Sequence, residues 1–454
     1  MRRTGWIALA AVAALLAAGA WYALVGTRTR RLRWEAKKLV TKWNERALEQ
    51  HREQQRRVAA PELPKVEIVE RLPDWPGFRG PLGDGIVRAG LRSLPWSEGG
   101  PRRLWKQPVG GGHGSFAIGA GRAFSIEQRG EDEVVASYAL TSGRELWTHR
   151  YPAHFESAMS APGPRSTPAI DGARVYAQGA SGVLSCLNAS TGELLWSRNI
   201  LADAGAKNLQ WGMAGSPLVA QGRVYAAPGG EHGAVIAYDA VSGEPVWRSG
   251  SRRAGYSSPM LVRLAGTPQL LVFDGEGLTA YAPNDGAELW HHPWETDFGV
   301  NAAQPIVVDG EHVFISSGYG RGCTLLRILR REGRLEAQTV WENRNLKLKY
   351  TSGVLLDGHI YGADESIFVC LNVRTGERAW KGGRYGFAHV LLAGRRLLIQ
   401  CDNGDLALVE ATPEAYREIA RSPALDGTTT NPPALGEGKL IVRNASEMIS
   451  FSLP

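Results

Sequence analysis

Two cationic side chains, Arg165 and Lys349, lie just before the apolar strand that opens a repeated unit of the sequence. Guanidinium and ammonium groups bind carboxylates, and an indole provides a flat face for stacking, so Trp211 in a third unit completes a candidate anion site. The competing interpretation, which the residue types favour, is a solvated rim of ordinary turn residues. Aligning the units gives nine candidate ligand-binding residues: His113, Arg165, Trp211, Tyr256, Asn301, Lys349, Tyr350, His389 and Asn431.

No pattern in the sequence indicates a catalytic or metal centre. His291 and His292 are adjacent and would point to opposite faces of a strand, and "CDNGD" at 401–405 carries a hairpin signal without the ligand spacing of a calcium loop. We interpret the four cysteines, none of them adjacent, as small buried hydrophobic residues. The sequence therefore predicts no catalytic residue, no metal site, no disulfide framework and no resident cofactor.

The elements that would position these residues are short strands in a repeat. "SCLNASTGELLW" (185–196) and "VCLNVRTGERAW" (369–380) are nearly the same, and the tryptophans that end successive units are 39 to 51 residues apart. This period, with about four strands per unit, is typical of propeller blades. We expect the indoles to cover the gap to the neighbouring blade, with each N–H donating to a backbone group. These structural tryptophans are Trp105, Trp147, Trp196, Trp247, Trp290, Trp341 and Trp380.

The count of hairpins also predicts how the ring closes. Eight inner hairpins lie between residues 114 and 454, and the last of them has no outer tryptophan strand after it. Conversely, "RRLWKQPVG" at 102–110 is an outer strand with no hairpin before it. We therefore predict an all-β, eight-bladed propeller of four-stranded antiparallel blades over 101–454, closed by N- and C-terminal strands.

Three segments precede this domain. The uncharged run from Thr4 to Thr27 predicts a transmembrane anchor over 1–27; a cleaved signal peptide is the alternative, because "AGA" at 18–20 resembles a cleavage site. Residues 28–60 read as a basic juxtamembrane helix, either a lipid-touching spacer or a partner-binding helix. Residues 61–100 form a linker and a capping segment, in which Trp75 and Phe78 would pack on the propeller.

The first 60 residues carry a net charge of +9, which leaves the rest of the chain at −2 and thus close to neutral. A nucleic-acid groove is therefore not expected. The basic residues after the apolar run would place the propeller in the cytoplasm by the positive-inside rule, although long domains can be translocated despite flanking charge.

The repeat x-L-x-A-x-(T/S)-G-E-x-x-W resembles that of the pyrroloquinoline-quinone (PQQ)-like β-propellers, over about 101–454 in eight copies. "DWPGFRGPLGDG" (74–85) is similar to the lead-in of secreted or membrane-bound bacterial members. The family includes quinoprotein dehydrogenases and also non-catalytic scaffolds, such as the propeller lipoprotein of the outer-membrane protein assembly machine. The resemblance thus implies the fold and an exported propeller, and it leaves the activity open.

We expect a non-catalytic scaffold, tethered to the bacterial inner membrane with a periplasmic propeller, that binds a protein of the cell envelope. The alternative is a PQQ-dependent oxidoreductase of the alcohol or sugar dehydrogenase kind, with PQQ and calcium as cofactors. For that activity the resemblance implies adjacent cysteines, calcium ligands and a catalytic Asp, and the chain has neither a cysteine pair nor a C-x-x-C-H haem site. A membrane sensor is a third possibility, but no signalling domain accompanies the propeller in this chain.

Overall fold

The computed structural model describes residues 45–57, 75–88, 96, 100–157 and 161–453. The chain divides into two units, Met1–Arg57 and Val58–Pro454. In the first unit a helix, α1, runs over 45–57, inside the range predicted for the juxtamembrane helix. The transmembrane anchor predicted over 1–27 lies outside the described residues, and no helix among those described has the length and apolarity needed to span a membrane.

The second unit is built almost entirely of short antiparallel strands. In chain order they are β1 (Ile86–Val87), β2 (Arg102–Pro108), β3 (Ala117–Gly119), β4 (Arg122–Arg129), β5 (Asp132–Ala139), β6 (Glu145–Pro152), β7 (Ala169–Asp171), β8 (Arg174–Gln178), β9 (Val183–Asn188), β10 (Leu194–Asn199), β11 (Leu218–Ala220), β12 (Arg223–Ala226), β13 (Val235–Asp239), β14 (Pro245–Ser249), β15 (Met260–Leu264), β16 (Thr267–Phe273) and β17 (Gly277–Tyr281). They continue with β18 (Glu288–Pro293), β19 (Ile306–Val307), β20 (His312–Ser317), β21 (Gly322–Arg331), β22 (Arg334–Asn343), β23 (Val354–Leu356), β24 (His359–Asp364), β25 (Ile367–Asn372), β26 (Arg378–Arg384), β27 (His389–Ala393), β28 (Arg396–Gln400), β29 (Asp405–Glu410), β30 (Glu418–Pro423), β31 (Ala434–Gly436), β32 (Lys439–Arg443) and β33 (Glu447–Ser452). A helix, α2 (Ile200–Ala204), and a 3-10 turn (Asp297–Gly299) lie in connections.

These strands form eight sheets, which confirms the predicted eight-bladed propeller. Blades 1 to 7 each take four consecutive strands, from β3–β6 to β27–β30, and blade 8 combines β31, β32 and β33 with β2. Strand β2 runs antiparallel to β33, with Arg102 opposite Ser452 and Pro108 opposite Glu447. The ring is therefore closed by backbone hydrogen bonds between the two ends of the propeller chain, as the hairpin count predicted.

The seam between blades 8 and 1 also carries buried charges. The Arg129 guanidinium lies 2.9 Å from a Glu127 carboxylate oxygen, and both side chains are almost fully buried. Arg443 of blade 8 donates to the Gly110 carbonyl at 2.6 Å and to the Ser125 hydroxyl at 2.8 Å. Because removing one partner of such a network leaves an uncompensated buried charge, these contacts fix the two blades to each other.

Each repeat tryptophan joins two blades. Six of the seven donate the indole N–H to a backbone carbonyl in the following blade, as Trp147 does to Ala189 at 3.0 Å. Trp290 instead donates to the Gln269 side chain of its own blade at 2.6 Å. For five of the seven tryptophans the turn glycine of the following blade lies on the same indole, and a Cβ on Gly192 would stand 2.5 Å from the Trp147 ring. The repeat thus carries Gly and Trp together because they are the two halves of one contact between blades.

We predict that Gly192→Ala destabilises the propeller more than Gly222→Ala does. Both glycines have positive φ, 75° and 73°, but a Cβ on Gly222 would meet nothing within 4 Å. Gly222→Ala should therefore cost about 1 kcal/mol for the backbone alone, and Gly192→Ala should add the displacement of the indole. Urea unfolding followed by tryptophan fluorescence measures the free energy of unfolding of both variants. Equal losses of stability would show that the contact between Gly192 and Trp147 does not stabilise the propeller.

Candidate functional site

A belt of hydrogen bonds surrounds one end of the central channel, where the chain passes from the outer strand of one blade to the inner strand of the next. Each member lies two residues before an inner strand, and its backbone N–H donates to the side chain of the equivalent residue in the following blade. The bonds run from Ser115 to Thr167 (3.0 Å), Thr167 to Ser216 (2.9 Å), Ser216 to Ser258 (2.9 Å), Ser258 to Gln304 (3.2 Å) and Gln304 to Ser352 (3.0 Å). We call this end of the channel the mouth.

The belt continues differently in the last blades. His389 of blade 7 lies 3.0 Å from the Thr430 carbonyl, and the Ser115 hydroxyl donates to the Pro432 carbonyl at 2.6 Å. Between blades 6 and 7, in the part of the chain that the structure describes, no belt bond leads on from Ser352. The link there is made by Arg79, whose guanidinium donates to the Gly353 carbonyl at 2.7 Å and to the Val390 carbonyl at 3.4 Å.

Arg79 belongs to a strap, residues 75–88, that crosses the channel. At one end the carbonyl of Trp75 accepts from Ile118 of blade 1 at 2.7 Å. At the other end β1 runs parallel to the last residues of β27 in blade 7. Burial lowers the pKa of Arg79 to about 10, with carbonyls as its hydrogen-bond partners. The strap therefore joins blades 1 and 7, which flank blade 8, and it pairs with the last residues of β27, away from the mouth.

Four of the nine predicted ligand residues are used by the loops themselves. Asn301 is fully buried, and its amide donates to the carbonyls of Asp274 (2.8 Å) and Trp294 (3.0 Å). Asn431 and His389 are likewise buried and bound to backbone carbonyls, and His113 bridges Thr430 (2.7 Å) and Ala161 (3.0 Å). Burial lowers the pKa of both His113 and His389 to about 4, so both imidazoles are neutral near pH 7.

The other five, Arg165, Trp211, Tyr256, Lys349 and Tyr350, are partly or fully exposed at the mouth. Arg165 lies over the Phe155 ring at 4.8 Å, and burial lowers its pKa to about 10. It follows blade 1 whereas Lys349 follows blade 5, so the two cations stand on opposite sides of an eight-bladed ring. The structure does not bring them together as one anion clamp.

Instead, the mouth carries an arc of aromatic side chains. Its members form three pairs, and the two rings of each pair come from different loops. The ring centres are 5.8 Å apart for Trp211 and Tyr256, 6.3 Å for Phe298 and Tyr319, and 4.7 Å for Tyr350 and Phe387. We call these six residues the aromatic arc. Phe298 is 75% exposed and Tyr350 39% exposed, which is unusual for large rings held in fixed loops.

Sequence reasoning missed half of this arc. Phe298 lies eight residues before β19, Tyr319 lies in the turn between β20 and β21, and Phe387 precedes His389, the residue that the alignment selected in that connection. Phe298 and Tyr319 also have positive φ, 65° and 54°, a conformation that bulky residues rarely adopt. Backbone strain of this kind at an exposed aromatic pair is typical of a binding surface.

Lys349 lies within the arc. Its ammonium is 4.5 Å from the ring centre of Tyr319, 5.2 Å from that of Phe387 and 5.9 Å from that of Tyr350. Among the described residues it has no carboxylate partner. The nearest acidic side chain of the arc, Asp402, accepts the backbone N–H of Phe387 at 3.2 Å. The mouth therefore presents a cation held by aromatic rings and not neutralised by an ion pair.

The family model described as outer membrane protein assembly factor BamB matches residues 131–382, more than half of the 454-residue chain. The chain belongs to this family. Its fold is shared by BamB from Moraxella catarrhalis, with 16% identity over 77% of this chain and 99% of that chain and a TM-score of 0.56. The BamB-like membership confirms the PQQ-like propeller that the repeat predicted.

Other solved structures share the fold with this BamB-like chain. A quinohemoprotein alcohol dehydrogenase from Comamonas testosteroni has 13% identity over 84% of this chain and 80% of its own, with a TM-score of 0.60. Sqt1 from Saccharomyces cerevisiae has 11% identity over 78% of this chain and 99% of its own, with a TM-score of 0.55. A search of curated proteins found no match. At these identities the likeness concerns the fold alone.

The residues present do not fit the quinone and calcium of the catalytic propellers. All four cysteines are buried and free, and none is adjacent to another: Cys186, Cys323, Cys370 and Cys401. Over the described ranges, no three His, Cys, Asp or Glu side chains converge as metal ligands. The channel below the mouth is crossed by the strap, with Arg79 hydrogen-bonded to carbonyls.

We predict that Arg79→Met lowers the free energy of unfolding by about 2 to 4 kcal/mol, because it leaves buried carbonyls of blades 6 and 7 without a donor. Arg88→Met is the matched control in the same strap, since Arg88 is exposed and paired with Asp84. The control should change stability by less than about 0.5 kcal/mol. Urea unfolding of the two full-length variants compares them, and similar values would show that Arg79 does not link the blades.

We further predict that the propeller loses stability at acidic pH because of His389. Its pKa falls from 6.5 to about 4 on folding, chiefly by burial and also by the charge of Arg79, so the unfolded chain binds more protons in this window. Stability is complete above pH 6.5 and decreases as the pH falls towards 4, by on the order of 3 kcal/mol. His389→Gln keeps a donor for Thr430 and should reduce the pH dependence of the melting temperature over this range without removing it, because burial also lowers the pKa of His113 to about 4. The exposed control His232→Gln should leave the pH dependence unchanged.

Proposed function

We propose that this protein is a non-catalytic, protein-binding scaffold of the bacterial cell envelope, and that the aromatic arc is its docking surface. The observation that carries the proposal is the exposure of Phe298 and Tyr350, each packed against a second ring at the mouth. Aromatic side chains bring large contact area with few rotatable bonds, which is why they are enriched where proteins bind each other.

The rigidity of the ring supports this role. The belt, the strap and the closing strand β2 hold the loops of the arc in place before any partner arrives, which lowers the entropy lost on binding. The arc spans connections from blade 2 to blade 7, so its width suits a protein surface better than a small substrate. Among the described residues, no group of three His, Cys, Asp or Glu side chains could hold a catalytic metal ion.

The envelope location rests on the BamB-like family and on the apolar run from Thr4 to Thr27. We propose that this run tethers the protein to the inner membrane and that the propeller is periplasmic.

Site-specific photocrosslinking in the producing cells tests the docking surface. We expect p-benzoylphenylalanine at position 298 or 350 to give one discrete crosslinked product with an envelope protein. The matched control is position 241, because Val241 is 62% exposed but lies in the turn between β13 and β14, at the opposite end of the strands. Products from position 241 equal to those from 298 and 350 would contradict a docking role for the mouth.

A further inference from the structure

We propose that the mouth recognises an acidic, extended segment of the partner, with Lys349 as the residue that binds its carboxylate and the aromatic arc as the surface for its apolar side chains. This inference rests on the proposed function, because it assigns the chemistry of a partner to the same surface. It concerns a peptide segment and not a free small anion, since the arc provides far more apolar area than one carboxylate can use.

The first step of the argument is the state of Lys349. Lysine side chains near a mouth are commonly paired, as Lys347 and Lys381 are with the buried carboxylate of Asp364. Lys349, two residues after Lys347, lies on the faces of Tyr319 and Phe387 instead. A cation over aromatic rings keeps its charge and its donors, so it can still bind an incoming carboxylate.

The second step is the position of this cation between apolar surfaces. Tyr319, Phe387 and Tyr350 all have ring centres within 6 Å of the Lys349 ammonium, and Tyr319 is paired with the exposed Phe298. A ligand that reaches the ammonium must therefore also touch these rings. An extended segment meets both when acidic and apolar residues occur together two positions apart, because side chains two residues apart in a strand point to the same side.

The third step is the charge of the surroundings. Asp402 accepts the backbone N–H of Phe387 at 3.2 Å, and over the described ranges it makes no ion pair with Lys349. Across the mouth Arg165 adds a second cation, whose charge favours an acidic over a basic segment. The charge of the mouth thus complements an acidic partner.

The direct test measures binding of two labelled probe peptides to the full-length protein in detergent by fluorescence anisotropy. The acidic probe is acetyl-Asp-Phe-Glu-Asp-Phe-Glu-amide, and its uncharged counterpart replaces each acid by Asn or Gln. We expect the acidic probe to bind at least about tenfold more tightly, with affinity that falls as salt rises. Equal affinity for the two probes, or no binding of either, overturns the inference.

Variants assign the effect to Lys349. Lys349→Gln should weaken the acidic probe about tenfold and leave the uncharged probe unchanged, and Lys349→Arg should restore most of the loss. Lys439→Gln is the matched control, since Lys439 begins β32 at the hairpin end of blade 8, away from the mouth. If Lys439→Gln weakens the probe as much as Lys349→Gln does, the site is not at the mouth. Unchanged melting temperatures exclude misfolding as the cause.

Crosslinking separates failure of this inference from failure of the proposed function. If the product formed from position 298 disappears in the Lys349→Glu background, both the docking function and the acidic segment are supported. If the product persists in that background, the mouth is a docking surface but the acidic segment is wrong. If no product forms at position 298 or 350, the proposed docking function itself fails.

Discussion

The structure depends on closing eight blades into one ring, although the inner strands of the blades are too short to stabilise that ring by their own hydrogen bonds. Several inner strands have only two or three residues, such as β19 (Ile306–Val307) and β23 (Val354–Leu356), so their ladders contribute few hydrogen bonds. The belt compensates by running around the ring instead of along the blades. In each of its bonds a buried backbone N–H donates to a side chain of the next blade. The backbone N–H thereby gains the partner it needs, and the two blades gain a contact.

The same requirement accounts for several of the nine residues predicted to bind a ligand. They lie in the connections that lead into the inner strands. At those places the backbone turns sharply into a short strand and needs partners, so Asn301, Asn431 and His389 bind carbonyls of neighbouring loops. Residue type alone does not separate a polar side chain that faces a ligand from one that completes a turn.

The parts of the fold that could be predicted are those that repeat. Gly192 and Trp147 show why: for five of the seven tryptophans the turn glycine and the outer tryptophan form one contact between blades, so their spacing records the ring directly. The aromatic arc could not be read in this way, because Phe298 and Tyr319 owe their positions to left-handed backbone in loops of unequal length. The role of Arg79 could not be predicted from the sequence either, since its partners in blades 6 and 7 are more than 270 residues away in the chain.

The division of the channel into two ends follows from these features. Away from the mouth, the strap fills the channel and carries the chain into the propeller, and its contacts are backbone carbonyls and N–H groups that any sequence must satisfy. At the mouth, the belt already supplies hydrogen-bond partners to the backbone. The side chains above the belt are therefore not needed for that purpose. Large rings such as Phe298 and Tyr350 can then be exposed without weakening the core, because no blade depends on them. The side chains of such a surface can therefore be replaced while the ring stays the same.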